Sequence, residues 1–178
     1  MTLAYVSGGS NLDAERNVML AARALKARHP GARFSRCYRN KAVGFDGPDF
    51  INFVVELPVA GDPALLKGEL ACIETQCGRR PGAPKWEPRA MDLDILLFGD
   101  VVQNTPGLVL PRPDLLRWGF MLGPLAELAP DLRHPSGATI GELWQRFDQT
   151  RNPLHEEALE LDEPDGGSVT PEATSLIL

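Results

Sequence analysis

The chain has 178 residues, which is enough for one domain with a buried core and short for two. Its 43% hydrophobic and 24% charged residues are typical of a globular protein and exclude a disordered or fibrous chain. The net charge of −6 comes from residues 151–178, and the electrically neutral body argues against broad non-specific binding of nucleic acid.

The first part of the chain predicts a strand followed by a helix. A short apolar run at 2–6 predicts a strand, and the glycines within 7–11 predict a turn after it. Apolar residues then recur at helical spacing over 12–28. We expect Asn11 or Asp13 to be the N-cap of this helix, because short polar side chains accept hydrogen bonds from the first helical amides.

Two strands, a second helix and a third strand are predicted next. Strands are expected at 34–38 and 50–57, joined by a polar, glycine-containing loop, and a helix is expected over 63–76. A basic, proline-rich loop leads into 91–98, which is the strongest strand pattern of the chain. The order β-α-β-β-α-β predicts an α+β fold of the ferredoxin-like sandwich type.

The C-terminal third predicts short helical segments and then a tail. Helical segments are expected between 111 and 147, notably at 120–128 and 139–147. Residues 151–178 hold seven acidic residues and one basic residue, with few apolar side chains. We therefore divide the chain into one domain at 1–150 and an acidic, mobile tail at 151–178.

The most informative stretch is the strand that begins with Asp92 and Asp94. Residues at i and i+2 of a strand point to the same face, so both carboxylates project together. Paired acids beside an apolar strand are costly unless positive charge lies between them. Mg²⁺ fits, because it takes oxygen ligands and commonly uses one or two carboxylates plus substrate phosphates. The alternative is an exposed pair in which each acid is held by an arginine.

A basic loop adjoins these carboxylates. Arg79, Arg80, Lys85 and Arg89 lie within eleven residues. Guanidinium groups match phosphate oxygens bidentately, and lysine supplies a point charge. The combination suits a nucleoside triphosphate with its metal, although a solvated charged loop would have the same composition. The chain has no Walker motif, so any phosphoryl transfer would proceed without a P-loop.

At these residues the chain resembles the 6-hydroxymethyl-7,8-dihydropterin pyrophosphokinases. The family signature G-R … R-W-G-P-R-x-x-D-x-D-[IL]-L is similar to Gly78-Arg79 followed by Lys85-Trp86-Glu87-Pro88-Arg89 and by Asp92-Leu93-Asp94-Ile95-Leu96. Further similar blocks occur in family order across about 1–147: Gly9-Ser10-Asn11, Tyr38-Arg39, Pro48-Asp49-Phe50-Ile51-Asn52, Gly119-Phe120-Met121-Leu122-Gly123-Pro124-Leu125 and His134-Pro135.

The resemblance implies a magnesium-dependent transfer of pyrophosphate from ATP to the pterin hydroxymethyl group, with release of AMP, in folate biosynthesis. Two Mg²⁺ ions would be held by Asp92 and Asp94. Arg79 and Arg89 would act catalytically on the phosphates. The remaining ATP-binding residues implied by the resemblance are Glu74, Trp86, Ile95 and Arg112.

The resemblance also implies a pterin site. Phe50 and Phe120 would sandwich the flat ring, although a phenylalanine on a strand or an apolar helix is more often plain core. Asn52 would pair with the ring edge, because an amide offers a donor and an acceptor side by side. Backbone groups near Val43 and Gly44 would complete the recognition of the ring.

Several positions depart from the family pattern. Arg112 replaces a histidine of an L-P-H-P turn, and Trp118 replaces an arginine. Pro81 stands where a basic residue is common, and Glu87 puts an acid beside the phosphate loop. These changes leave open a catalytically weak relative that binds pterin or nucleotide, or that uses a related pterin. An RNA-binding module on the same fold is a third alternative, which the strand carboxylates disfavour.

The expected partners are ATP and hydroxymethyldihydropterin, without nucleic acid or membrane. No run of eighteen apolar residues is present, and the N-terminus lacks the features of a signal peptide. We therefore expect a cytoplasmic protein. A monomer is favoured over an oligomer, a choice that the sequence leaves open.

Overall fold

The structure is a computed structural model that describes residues 1–84, 87–151 and 153–162. Its helices and strands are β1 (Thr2–Ser10), α1 (Ala14–Arg28), β2 (Arg33–Phe34), β3 (Cys37–Asn40), β4 (Phe50–Val59), α2 (Pro63–Gln76), β5 (Asp92–Phe98), β6 (Gln103–Thr105), β7 (Leu108–Leu110), α3 (Gly119–Leu128), α4 (Ile140–Arg146) and β8 (His155–Glu157). Within these residues no helix is long and apolar enough to cross a membrane.

An antiparallel sheet in the order β5-β1-β4-β3-β8 organises the fold, with β2 pairing beside β3 on β4. Helices α1 and α2 pack on one face, where Phe53 and Val55 are buried. Helices α3 and α4 pack on the other face around Val54. Successive residues of β4 therefore serve opposite cores, as the period of two in a strand requires. The α+β class predicted from the sequence is confirmed.

Strand β1 is longer than predicted, because its glycines lie in the strand and not in a turn. A Cβ at Gly8 would lie 2.3 Å from the Phe53 ring, and one at Gly9 would lie 2.5 Å from Oδ1 of Asn52. These glycines allow two side chains of the neighbouring β4 to lie across β1. The glycines that suggested a turn are therefore present because side chains of β4 approach β1 closely.

Other boundaries follow the predictions more closely. Helix α2 covers the predicted 63–76, and Asp62 caps it by accepting a hydrogen bond from the Leu65 amide. Helix α1 begins at Ala14, after an Asp13 whose φ is +46° and whose side chain makes no capping hydrogen bond. The predicted strand 34–38 is divided between β2 and β3.

The C-terminal region differs from the predicted mobile tail over residues 153–162. His155–Glu157 forms β8 and pairs with β3, and Leu161 is buried in the main core. Residues 163–178, the rest of the predicted tail, lie outside the described residues. Helices α3 and α4 lie within a residue or so of the predicted segments 120–128 and 139–147.

Candidate active site

A cavity of about 380 Å³ opens beside β1, β4 and β5. Its lining joins residues that are distant in sequence: Ser7, Gly8, Gly9, Asn40, Val43, Phe45, Phe50, Asn52, Arg79, Arg89, Asp92, Asp94, Arg112, Asp114, Trp118, Phe120 and Met121. One part is charged and another is aromatic, so the cavity can receive both an anionic and a flat ligand.

The carboxylates of Asp92 and Asp94 project into this cavity from β5, as the strand period predicted. Leu93 and Ile95 alternate with them and are buried in the core on the opposite face. Each aspartate side chain keeps 35% of its surface exposed. The two acids are therefore held by a rigid strand and remain accessible from the cavity.

Arg79 and Arg89 surround Asp92. The Arg79 Nη1 lies 2.9 Å from Oδ1 of Asp92 and 2.7 Å from Oε1 of Glu74. The Arg89 Nη1 lies 3.9 Å from the same Asp92 oxygen. Glu74 also accepts a hydrogen bond of 2.8 Å from the Leu93 amide. Glu74 does not line the cavity itself, and it reaches the site through Arg79.

Arg112 forms an ion pair with Asp94, as Arg79 does with Asp92. Its Nη1 lies 3.2 Å from Oδ1 of Asp94, and its Nη2 lies 3.2 Å from Oδ2 of Asp114. The buried Nε of Arg112 has no hydrogen-bond partner within the part of the chain that the structure describes. Desolvation raises the pKa of Asp94, and the Arg112 guanidinium opposes this shift. Arg112 thus holds two carboxylates of the cavity lining, Asp94 and Asp114, at the same time.

The charged part of the cavity fits a divalent cation with a triphosphate. Among the described residues no group of three or more histidine, cysteine, aspartate or glutamate side chains could enclose a metal ion. Two carboxylates leave most coordination positions to phosphate oxygens and water, which is the mode that Mg²⁺ prefers. The structure is therefore compatible with both alternatives given for Asp92 and Asp94. Arginines hold the two acids here, and a cation that replaced these arginines would leave them to bind phosphate.

Asn11 anchors the loop that carries Arg89. Its Oδ1 accepts a hydrogen bond of 2.6 Å from the Arg89 amide, and its own amide donates to the Arg89 carbonyl at 3.0 Å. Its Nδ2 donates to the carbonyl of Pro48 at 3.0 Å. Asn11 is 3% exposed, and it joins the basic loop to the loop before β4. The sequence predicted a helix cap at this residue or at Asp13, whereas the structure shows a link between two loops of the site.

The aromatic part of the cavity contains the predicted pterin residues Phe50, Asn52 and Phe120, together with Val43. Asn52 is 5% exposed, and its Nδ2 donates a hydrogen bond to Oδ1 of Asn40. Gly44 lies next to Val43 with a φ of +85° and does not itself line the cavity. The Asn52 amide is thus held by Asn40 in a cavity whose lining also includes aromatic rings from β4 and α3.

Two further aromatic residues extend this lining, and the sequence did not assign them to the site. The Phe45 ring meets Phe50 edge to face with centroids 6.4 Å apart. The Trp118 ring stacks on Phe120 with centroids 6.0 Å apart. Phe45 could have been noticed as an aromatic residue in an otherwise polar loop, and Trp118 was seen only as a departure from the family pattern. Asp114 was missed as well.

One of the predicted ATP residues, Ile95, lies away from the main cavity. Ile95 lines a neighbouring cavity of about 70 Å³ between α2 and the β6–β7 hairpin, which shares Asp94 and Arg112 with the main cavity. Trp86 lies outside the described residues. The small cavity therefore adjoins the charged part of the main cavity at Asp94 and Arg112.

Comparison with known proteins finds relatives that match most of this chain. A family model described as 7,8-dihydro-6-hydroxymethylpterin-pyrophosphokinase (HPPK) matches residues 5–130. A 2-amino-4-hydroxy-6-hydroxymethyldihydropteridine pyrophosphokinase of Synechocystis is 38% identical over 173 residues, covering 95% of this chain and 86% of that protein. The protein of the same name from Pseudomonas aeruginosa is 40% identical over 143 residues, covering 78% of this chain and 88% of that protein.

Solved structures share the fold at low sequence identity. The Plasmodium falciparum HPPK-DHPS structure with pteroate has a TM-score of 0.61 at 13% identity, covering 82% of this chain and 42% of that one. At this identity the likeness concerns the fold alone.

Proposed function

This chain belongs to the 7,8-dihydro-6-hydroxymethylpterin-pyrophosphokinase family, and we propose that the 380 Å³ cavity is its active site. The enzyme transfers pyrophosphate from ATP to the hydroxymethyl group of 6-hydroxymethyl-7,8-dihydropterin, which releases AMP and serves folate biosynthesis. One observation supports the location above all others: the paired carboxylates, the arginines and the aromatic residues line a single cavity.

Asp92 and Asp94 hold the metal in this proposal, as a pair of Mg²⁺ ions bound together with ATP. Magnesium, when bound, neutralises the triphosphate charge and polarises the phosphorus that is attacked. The support is the donor set, which consists of two hard carboxylate oxygens on one face of a rigid strand. The strand holds the two carboxylates at a fixed spacing, so little reorganisation is needed when ATP arrives.

The arginines exchange partners when the nucleotide binds. In the structure Arg79 and Arg112 neutralise the aspartates at 2.9 and 3.2 Å. With a cation on the carboxylates, these guanidinium groups would bind the phosphate oxygens, which they match bidentately. The pterin hydroxyl oxygen bonds to the β-phosphorus and gives up its proton to water. The bond from that phosphorus to the oxygen bridging to the α-phosphate breaks, so that this oxygen leaves on AMP. Arg89, anchored through its backbone, stabilises the charge that develops.

The pterin lies in the aromatic part of the cavity. Phe50 and Phe120 contact the two faces of the ring, and the Asn52 amide pairs with its edge. Backbone groups at Val43 and Gly44 complete the edge contacts. Support comes from the shared lining and from the fixed orientation of Asn52.

The nucleoside extends from Asp94 towards Ile95 and the small neighbouring cavity. Glu74 acts on the main cavity through its ion pair with Arg79. Closure of the site by Trp86 stays a prediction, since that residue lies outside the described part of the chain. Excluding water at this step would protect ATP from hydrolysis.

The remaining assignments concern the whole protein. The strand order β5-β1-β4-β3, with α1 and α2 on one face, supports the ferredoxin-like arrangement. We also propose that the enzyme is monomeric and cytoplasmic, and that neither nucleic acid nor a membrane takes part in its reaction.

The direct test of this function incubates the protein with ATP, Mg²⁺ and hydroxymethyldihydropterin and follows AMP. We expect stoichiometric AMP and pyrophosphorylated pterin. Tight pterin binding without AMP would overturn the assignment in favour of a binding protein. Arg89→Ala should lower kcat by about 10²-fold or more, as expected for the loss of a transition-state charge contact. The matched control is Arg80→Ala, because Arg80 lies on the same loop, is exposed and does not line the cavity.

A further inference from the structure

Strand β3 lies between the pterin-recognition strand and the C-terminal strand. On one side Tyr38 and Asn40 stand opposite Asn52 and Phe50 of β4. On the other side β3 pairs with β8 over three residues. Only one short strand therefore separates β8 from two residues of the proposed pterin site.

An ion pair fastens β8 to β3 next to the site. The Arg39 Nε donates to Oε2 of Glu157 at 2.8 Å, and both side chains are partly buried. Arg39 directly precedes Asn40, whose Oδ1 accepts the hydrogen bond that orients the Asn52 amide. The contact with Glu157 thus holds the residue next to Asn40, which lines the cavity.

A second set of contacts ties β8 and β3 to helix α3. The Arg36 Nη1 lies 2.8 Å from Oε2 of Glu156, and its Nε lies 3.2 Å from Oε1 of Glu127. The Tyr38 hydroxyl also donates to Oε2 of Glu127 at 2.5 Å. Since α3 carries Phe120, these contacts connect β8 with both walls of the aromatic part of the cavity.

We propose that β8 positions the pterin site, with Glu157 and Arg39 as positioning residues that hold β3 and its Asn40 against β4. The proposal rests on the assignment of the cavity to the pterin. Without β8, the four residues of β3 would be a sheet edge paired on one side only, and such short edges fluctuate. An Asn40 that moves would release Asn52 from the orientation in which it meets the ring.

Two acidic residues of the C-terminal segment, Glu156 and Glu157, make the contacts on which this role rests. Glu156 and Glu157 have little intrinsic preference for a strand, and each is paired with an arginine: Glu156 with Arg36, which directly precedes β3, and Glu157 with Arg39 of β3. Exposed and partly exposed ion pairs weaken as salt rises. The pterin KM of the enzyme should therefore rise with ionic strength more steeply in wild type than in Glu157→Gln.

The test compares Glu157→Gln with Glu160→Gln, which removes the same charge from an exposed residue of the same segment. We expect Glu157→Gln to raise the KM for hydroxymethyldihydropterin about two- to fivefold, the range measured for comparable ion pairs. The KM for ATP and kcat should stay at the control values. Arg39→Gln should have the same effect, and the double variant should add little more.

Amide hydrogen exchange gives a readout that needs no substrate. Exchange at residues 37–40 should be faster in Glu157→Gln than in wild type and unchanged in Glu160→Gln. Equal pterin KM in the two variants, or equal exchange at 37–40, would overturn the positioning role. A wild-type protein that forms no AMP would refute the proposed function, and the exchange experiment would still decide whether β8 holds β3.

Discussion

Replacing Asp94 by asparagine tests the proposed metal site most informatively. The change removes one negative charge and keeps the shape of the side chain. In the free protein its cost should be small, because Arg112 keeps Asp114 as a partner at 3.2 Å. In the complex the lost charge would face a divalent cation. Variant and wild type should therefore have similar stability and differ in nucleotide use.

The expected magnitude follows from Coulomb's law. The phosphates that share the cation offset part of its charge, so the lost interaction is taken as that between two unit charges. At 4 Å these interact by about 4 kcal/mol at an effective dielectric constant of 20. The Asp94 side chain keeps 35% exposure, so solvent screening reduces the loss to about 3 kcal/mol. At about 1.4 kcal/mol per factor of ten, kcat/KM for ATP should fall by about 10²-fold.

Steady-state kinetics with varied ATP and Mg²⁺, combined with equilibrium binding of the dihydropterin, measures this effect. Pterin affinity should stay within about twofold of wild type, because a substitution rarely affects contacts that are distant from it and independent of it. An equal loss of ATP use and pterin affinity would refute the reasoning, as would a variant that simply unfolds.

Three other changes test the aromatic part and the fold. Phe120→Ala should raise the pterin KM by about tenfold or more through lost ring contact, with the KM for ATP unchanged; a rise in both constants would argue against a pterin wall. Gly9→Ala places a Cβ 2.5 Å from Oδ1 of Asn52, so it should weaken pterin binding and destabilise the fold by about 1–3 kcal/mol in denaturant titrations. Wild-type stability after this change would mean that the Asn52 side chain moves aside at little cost. The Arg33 guanidinium lowers the pKa of Glu56, so the charge of Glu56 stabilises the fold at neutral pH and loses this effect as pH falls below about 4.5. The stability difference between wild type and Glu56→Gln should accordingly shrink between pH 7 and pH 3, and a difference that grows would contradict this assignment.

The local sequence pattern was sufficient to predict the elements whose conformation depends on neighbouring residues alone. Helix α2 has a proline in its first turn, an Asp62 cap and Gly78 after its end, and its bounds were predicted correctly. The face shared by Asp92 and Asp94 followed from the strand period alone. In both cases the decisive information lies within a few neighbouring residues.

Long-range contacts explain the elements that were missed. The glycines of β1 suggested a turn because Phe53 and Asn52, which fill the space above them, lie more than forty residues away. Strand β8 has an acid-rich sequence that is atypical of strands, and its acids pair with Arg39 of β3 and with Arg36 just before β3, both more than one hundred residues away in the chain.

The site shows the same division. The charged residues Arg79, Arg89, Asp92 and Asp94 were predicted because they cluster in one stretch of sequence, whereas Asp114, which lies outside that stretch, was missed. The contribution of Phe45 and the link through Asn11 depend on how separate loops meet, which the spacing of the residues does not encode.

Calorimetric titration with a non-hydrolysable ATP analogue tests the central claim most directly: that Asp92 and Asp94 receive magnesium together with the nucleotide. With dihydropterin present, wild type should bind the analogue only when Mg²⁺ is supplied, and EDTA should abolish the heat of binding. The variant carrying both Asp92→Asn and Asp94→Asn should show no such dependence on Mg²⁺. Binding of the same strength with and without the metal in wild type would contradict the account.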